Sequence, residues 1–222
     1  MRVPQPLGTR GSLKWLQRVA AGAAPATEQA IIAKLRAASR LDWLSPRRDD
    51  DFAEYRDGTF LDRIGHSSLR PALKAFWPSR GPQWDGLART DAGQVLLFEA
   101  KAHAGELRSG GCQASLASRQ RIETALLATA HACAATAPRA WTEAYYQSAN
   151  RLAHLHFLRR HGVDAYVVLM NFLSDTEMSG PLTVEEWQRA HGEAEATMGL
   201  GQDHALSRYV LHVYPDVRHL GG

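Results

Sequence analysis

The chain has 222 residues, of which 45% are hydrophobic and 22% are charged, as in an ordinary globular protein with apolar material for one sizeable core. This composition excludes a disordered chain, and no apolar run approaches the roughly twenty residues that cross a bilayer. The alanine-rich residues 19–26 are interrupted by Gly22 and follow Trp15, Gln17 and Arg18. We therefore expect no signal peptide, no membrane association and a cytoplasmic protein.

The charge is modest overall but locally clustered. The formal net charge is +3 and the isoelectric point is about 9.0. Arginines cluster in three places, at Arg47 and Arg48, Arg119 and Arg121, and Arg159 and Arg160. This pattern is compatible with a polyanionic partner and equally with solvated helix ends. The two cysteines, Cys112 and Cys133, are too few for a disulfide framework or a four-ligand zinc site, so we expect them to be reduced and buried.

The predicted elements begin with an N-terminal arm at residues 1–25, and a single domain follows at 26–222. The first twelve residues are irregular because Pro4, Pro6, Gly8 and Gly11 punctuate them. Apolar residues at helical spacing predict a helix at about 26–39. A very polar stretch then leads into a second predicted helical piece at about 50–65, which carries Glu54.

Strand and helix patterns alternate after residue 81. Residues 95–98 are apolar at consecutive positions, which indicates a central strand that is covered on both faces. Helices are predicted at 114–136 and 140–161, and buried or closing strands at 165–172 and 208–214. Thr183 and Glu186 form a capping box that opens one more helix. The pattern predicts an α/β domain.

A short loop fixes the register of a predicted hairpin. Residues 91–93 read Asp-Ala-Gly, and glycine suits the left-handed position that ends a three-residue hairpin loop. Asp85 lies six residues before this loop and Glu99 six residues after it. The two residues therefore face each other, with Cβ atoms roughly 4.5–5.5 Å apart, and two carboxylates converge on one point.

Two opposed carboxylates need positive charge beside them. Lys101 shares the strand face of Glu99, whereas the side chain of Ala100 points away. Because one lysine offsets only one carboxylate, we expect a divalent cation, Mg²⁺ or Mn²⁺, bound by Asp85 and Glu99. The backbone carbonyl of Ala100 is the candidate third ligand. The alternative, an exposed hairpin with a surface Glu99–Lys101 ion pair, conflicts with the apolar strand before it.

Asp85, a spacer and Glu99-Ala100-Lys101 resemble the signature of the PD-(D/E)xK nuclease superfamily. The order of elements from 26 to 172 is also similar to the core of that superfamily. The resemblance implies a restriction-endonuclease-like fold, which is a central mixed sheet flanked by helices, here with extra helices after the Glu-x-Lys strand. It also implies that the acidic pair binds the metal and that the lysine orients or activates the attacking water and stabilises charge. One departure is that Trp84 precedes Asp85, with the nearest proline at Pro82.

The resemblance also suggests secondary site residues. Such enzymes often add an acidic residue from the first helix, and we prefer Glu54 to Glu28. Gln147 on the predicted helix at 140–161 is a further candidate, although an ordinary solvated helix face explains it equally well. It shares one polar stripe with Asn150, Arg151 and His154. His103 could reach a phosphate.

These residues predict a metal-dependent nuclease that hydrolyses phosphodiester bonds in nucleic acid, and we expect DNA rather than RNA as the substrate. The alternative is a non-catalytic nucleic-acid-binding or structural module on the same fold, and a third class is a metal-dependent hydrolase of other substrates. Intact Asp85, Glu99 and Lys101 favour the enzyme, whereas a site closed by Trp84 or by the loop at 104–113 would favour the module. A homodimer is left open.

Overall fold

The centre of the protein is a mixed five-stranded sheet. The structure is a computed structural model that describes residues 1–220. The last two residues of the predicted domain at 26–222 therefore lie outside the described part. The strands are β1 (Arg2–Val3), β2 (Leu41–Ser45), β3 (Glu54–Tyr55), β4 (Gly86–Thr90), β5 (Val95–Lys101), β6 (Ala165–Asn171) and β7 (Val210–Val213). The main sheet has the order β2-β4-β5-β6-β7, and β1 pairs with β3 in a separate small sheet. Strands β2, β4 and β5 are antiparallel, and β5, β6 and β7 are parallel.

Seven α-helices flank the sheet within residues 1–220. They are α1 (Gly11–Arg18), α2 (Pro25–Ile32), α3 (Gly58–Arg63), α4 (Arg70–Phe76), α5 (Leu116–Ala132), α6 (Tyr146–Arg160) and α7 (Val184–Thr197). The prediction of an α/β fold with a mixed sheet between helices is confirmed. Both α5 and α6 lie between β5 and β6, where parallel pairing requires a long crossover. None of the helices in this described range is long and apolar enough to cross a membrane.

The prediction of a helical piece at 50–65 is wrong over its first half. Glu54 lies in β3, where it pairs with Val3 of β1, and the helix α3 begins only at Gly58. Asp51 and Asp57 have φ angles of 49° and 55°, which an α-helix does not allow. Because the partner strand comes from the far N-terminus, local periodicity gave no sign of it. The helix predicted at 26–39 is also shorter and ends at Ile32.

The helices form a layer on each face of the sheet. One layer contains α1 and α2, and its apolar cluster joins Trp15 and Val19 to Leu96 and Phe98 of β5. The other contains α5, α6 and α7 and packs on residues such as Leu97. The segment 1–25 therefore includes a helix whose apolar side chains belong to the core.

The predicted register of the β4–β5 hairpin is confirmed. Gly86 pairs with Phe98, and Gly93 has a φ of 84°, which glycine adopts without steric cost. The N–H of Gly93 donates to the carbonyl of Thr90 at 3.0 Å and closes the loop. The parallel pairing then places Lys101 beside Asn171 of β6, so the carboxyl ends of β5 and β6 lie together.

Candidate functional site

Asp85, Glu99 and Lys101 lie at one end of the β4–β5 hairpin. Asp85 directly precedes β4, and its Oδ2 accepts a hydrogen bond of 2.8 Å from the backbone N–H of Ala100. Glu99 and Lys101 are near the carboxyl end of β5 and project from the face that α6 covers. The hairpin register thus brings the two carboxylates and the lysine to one place.

Glu99 is held by two buried cations. The Lys101 ammonium contacts its Oε1, and the Arg151 guanidinium contacts its Oε2 at 2.5 Å. The three side chains are between 5% and 10% exposed. The alternative of a surface Glu99–Lys101 ion pair is therefore wrong, and both oxygens of Glu99 already carry a charge-assisted hydrogen bond.

Arg151 is the site residue whose role sequence reasoning missed. Besides Glu99, its guanidinium donates to the carbonyl oxygen of Gln83 at 2.8 Å and to Oδ1 of Asn150 at 3.1 Å. It also lies over the ring of Trp84, 4.8 Å from the centroid. The available signal was its place four residues after Gln147 on the same helix face.

The secondary candidates separate clearly in space. Gln147 on α6 reaches the site, where its Oε1 accepts from the Lys101 ammonium at 3.2 Å. Glu54 is buried at the edge of the same cluster, and its Oε2 accepts from Nε2 of Gln83 at 2.5 Å. Glu28 lies on the other face of the sheet, where its Oε1 accepts from the indole of Trp43 at 2.8 Å.

The two histidines named from the sequence lie away from the chemistry of the hairpin. His103 follows the end of β5 and faces Glu106 at 3.7 Å within a 3₁₀ turn. His154 is buried on α6, where its Nδ1 contacts the carbonyl oxygen of Asn150 at 2.9 Å. Burial lowers the pKa of His154 to about 3, so this histidine is uncharged at neutral pH.

The carboxylates of the site differ strongly in proton affinity. Burial, together with repulsion from Glu99, raises the pKa of Asp85 to about 8, although Lys101 partly opposes this. Burial also raises the pKa of Glu54, against the hydrogen bond from Gln83. For Glu99, burial is the largest single influence on the pKa and favours the protonated form. The positive charges of Arg151 and Lys101 together outweigh burial, so the pKa is lowered. At neutral pH Glu99 is ionised and Asp85 holds a proton.

Lys101 remains charged in this setting. Burial disfavours its ammonium form, but Glu99 and Asp85 outweigh burial and raise the pKa of the lysine. The cluster therefore contains two fixed cations and one fixed carboxylate, together with Asp85 and Glu54, whose pKa values burial raises.

The hairpin end presents oxygen atoms of the type that a hard divalent cation takes, but Lys101 and Arg151 already contact both oxygens of Glu99. In a strand, the N–H and C=O of one residue point to the same side, so the Ala100 carbonyl faces Asp85, to which its N–H donates. Two carboxylates and a carbonyl form an all-oxygen set of the kind that Mg²⁺ and Mn²⁺ take. No group of three or more histidine, cysteine or acidic residues that could hold a metal occurs among residues 1–220. A cation bound here would have to displace those two contacts of Glu99 and the proton of Asp85.

Comparisons with protein-family models, with curated proteins and with solved structures give no match to this chain. Fold and site define it as an α/β protein with a buried carboxylate–cation cluster at one end of a central hairpin.

Proposed function

We propose that this protein is a divalent-metal-dependent nuclease that hydrolyses phosphodiester bonds in nucleic acid. The observation that carries the proposal is the convergence of Asp85, Glu99 and Lys101 at the end of the β4–β5 hairpin. Burying several charges together costs free energy, and a buried carboxyl with a pKa of about 8 is typical of functional sites.

The topology supports the finer assignment to the restriction-endonuclease-like fold. The antiparallel run β2-β4-β5 is followed by the helices α5 and α6 and then by β6, parallel to β5. This order is the one expected from the resemblance to the PD-(D/E)xK superfamily. The acidic pair stands at the end of the hairpin, as in the signature.

The charge states assign roles to the side chains. Lys101 keeps its proton because Glu99 and Asp85 raise its pKa, so it acts as a positive group that holds the phosphate or the attacking water and not as the base. Gln147 restrains the ammonium through its amide oxygen. A bound Mg²⁺ or Mn²⁺ would lower the pKa of its water and polarise the phosphate. Asp85 and Glu99, with the Ala100 carbonyl, would hold that cation.

A second candidate function is a non-catalytic module on the same fold. Glu99 and Lys101 are only 5% and 10% exposed, and Arg151 pairs with the oxygen of Glu99 that Lys101 leaves free. A cluster that is closed and neutralised in this way can hold a domain together without binding a cation. Only a measurement of nucleic-acid cleavage distinguishes the nuclease from the non-catalytic module.

The deciding experiment is cleavage of end-labelled DNA and RNA, single- and double-stranded, with Mg²⁺ or Mn²⁺ and with EDTA. We expect metal-dependent cleavage by the parent and its loss in Lys101→Ala, with an unchanged circular dichroism spectrum. The matched control is Lys74→Ala, which removes an exposed lysine of α4 and should cleave like the parent. No cleavage by the parent on any substrate, or full activity of Lys101→Ala, would favour the module.

A further inference from the structure

A basic pocket lies at the end of the parallel strands opposite to the hairpin site. It has a volume of about 380 Å³, and its charged lining residues are four cations and one carboxylate, namely Lys34, Arg36, Arg159, Arg208 and Asp164. Tyr166, near the start of β6, also lines it, whereas Lys101 pairs with Asn171 at the end of β6. The strand between Tyr166 and Asn171 is roughly 17 Å long, so the basic pocket is distinct from the carboxylate–cation cluster.

Arg159 is held in place by three neighbours. Its guanidinium carbon lies 3.7 Å from the ring centre of Tyr209 and 5.9 Å from that of Tyr166, and its Nη1 contacts Oδ1 of Asp164. The side chain is still 24% exposed. Stacking on an aromatic ring fixes the plane of a guanidinium and leaves its N–H groups able to donate. Arg159 therefore presents an ordered donor group to the pocket.

A second arginine lies at the same ring. The guanidinium carbon of Arg208 is 4.8 Å from the ring centre of Tyr209. The ring of Tyr209 is itself fixed, because it meets the ring of the buried Tyr166 edge-on at 5.8 Å between centroids. Two guanidiniums at one ring repel each other. An anion that contacts both of them would relieve this repulsion.

Most of the positive charge in the pocket has no carboxylate partner. Within residues 1–220, the side chains of Lys34, Arg36 and Arg208 form no ion pair. Because Asp164 offsets only one cation, three positive charges are left, as many as the formal net charge of the whole chain. The carboxyl ends of α2 and α6 add about half a negative charge each, so the pocket stays positive.

We propose that the basic pocket binds a ligand with several phosphate charges, as in pyrophosphate, in a nucleotide or along a nucleic-acid strand. A terminal phosphate group carries about two negative charges at neutral pH, whereas a carboxylate carries one. Phosphate therefore matches several cations gathered in a small volume. The fork of N–H groups on a guanidinium also fits phosphate oxygens. This binding does not depend on the proposed nuclease activity, because the pocket and the cluster are separate.

The test is isothermal titration calorimetry in metal-free buffer at low salt. The two probes are inorganic pyrophosphate and a single-stranded deoxythymidine octanucleotide. Arg36→Gln and Arg208→Gln each remove one exposed cation of the pocket. The matched control is Arg189→Gln, which removes an exposed arginine of α7 outside the pocket.

We expect the parent and Arg189→Gln to bind at least one probe with equal affinity. Arg36→Gln and Arg208→Gln should bind that probe about tenfold more weakly, because a charge-assisted hydrogen bond is lost. Binding of pyrophosphate alone would assign a free phosphate ligand, and binding of the strand alone would assign a nucleic-acid backbone. Binding of both probes would show that phosphate from either source is accepted.

Three results would overturn the phosphate pocket. They are no binding of either probe by the parent, parent-like affinity in either pocket variant, and an equal loss in Arg189→Gln. The last result would mean that the probes respond to the general charge of the protein. None of the three bears on the nuclease, since no metal is present and no cleavage is measured.

Discussion

Replacing Asp85 by asparagine should stabilise the metal-free protein at neutral pH. The pKa of Asp85 is about 8 in the folded protein, whereas an unperturbed aspartate, as in the unfolded chain, has a pKa of 3.8. Its stabilising contribution is therefore fully present below about pH 3.8 and is lost as the pH rises through 8. Asparagine carries no charge, and its amide oxygen can still accept the hydrogen bond from the N–H of Ala100.

The magnitude follows from proton linkage. Between pH 5 and 7 the folded parent holds a proton on Asp85 that the unfolded chain has released, so its free energy of unfolding falls by about 1.4 kcal/mol per pH unit. Asp85→Asn lacks this loss. The variant should gain up to about 2.7 kcal/mol on the parent over these two pH units. For a chain of 222 residues this corresponds to roughly 5–10 °C in melting temperature.

The assay is urea unfolding of parent and variant at pH 5, 6 and 7 in EDTA. The matched control is Asp91→Asn, because a side-chain hydrogen bond from Ser39 lowers the pKa of Asp91 to about 2. The contribution of Asp91 is present above its ordinary pKa and lost only as the pH falls towards 2, so the difference between parent and this control should stay constant from pH 5 to 7. An Asp85→Asn difference that is also constant, or a variant less stable than the parent at pH 7, would refute the buried, repelled state of Asp85.

Three further outcomes are expected. Mg²⁺ or Mn²⁺ should raise the melting temperature of the parent, less so at pH 5 than at pH 7.5, because the cation must displace the proton of Asp85; an equal response in Asp85→Asn would place the cation elsewhere. Arg151→Leu should lower the free energy of unfolding in urea by about 3–5 kcal/mol, because it leaves Glu99 buried with one cation fewer. Adding Glu99→Gln to the same chain should restore part of that free energy. A decrease below about 1 kcal/mol would contradict the pairing. Gly93→Ala should cost about 1–2 kcal/mol, since its φ is 84° and no other atom lies within 4 Å of the added Cβ; unchanged urea unfolding would contradict this backbone account.

The sequence alone determined the hairpin and its register. Because Gly93 ends a three-residue loop, the two strands can pair in one register. The apolar run that follows this glycine indicates that β5 is a central strand. These are local rules, since all the residues involved are close in the chain. They place Asp85, Glu99 and Lys101 at one end of the hairpin without knowledge of any other element.

The tertiary structure decided what surrounds these residues. Glu54 lies in a strand because it pairs with Val3 at the N-terminus, from which two helices and a strand separate it in the chain, and a local pattern carries no record of such a partner. Arg151 reaches Glu99 only because the crossover through α5 and α6 returns to the sheet above β5. The basic pocket needs the segments after α2 and before β7 as walls. Proton affinities depend on all of these neighbours, because burial and the distances between charges, and not the types of residue, set them.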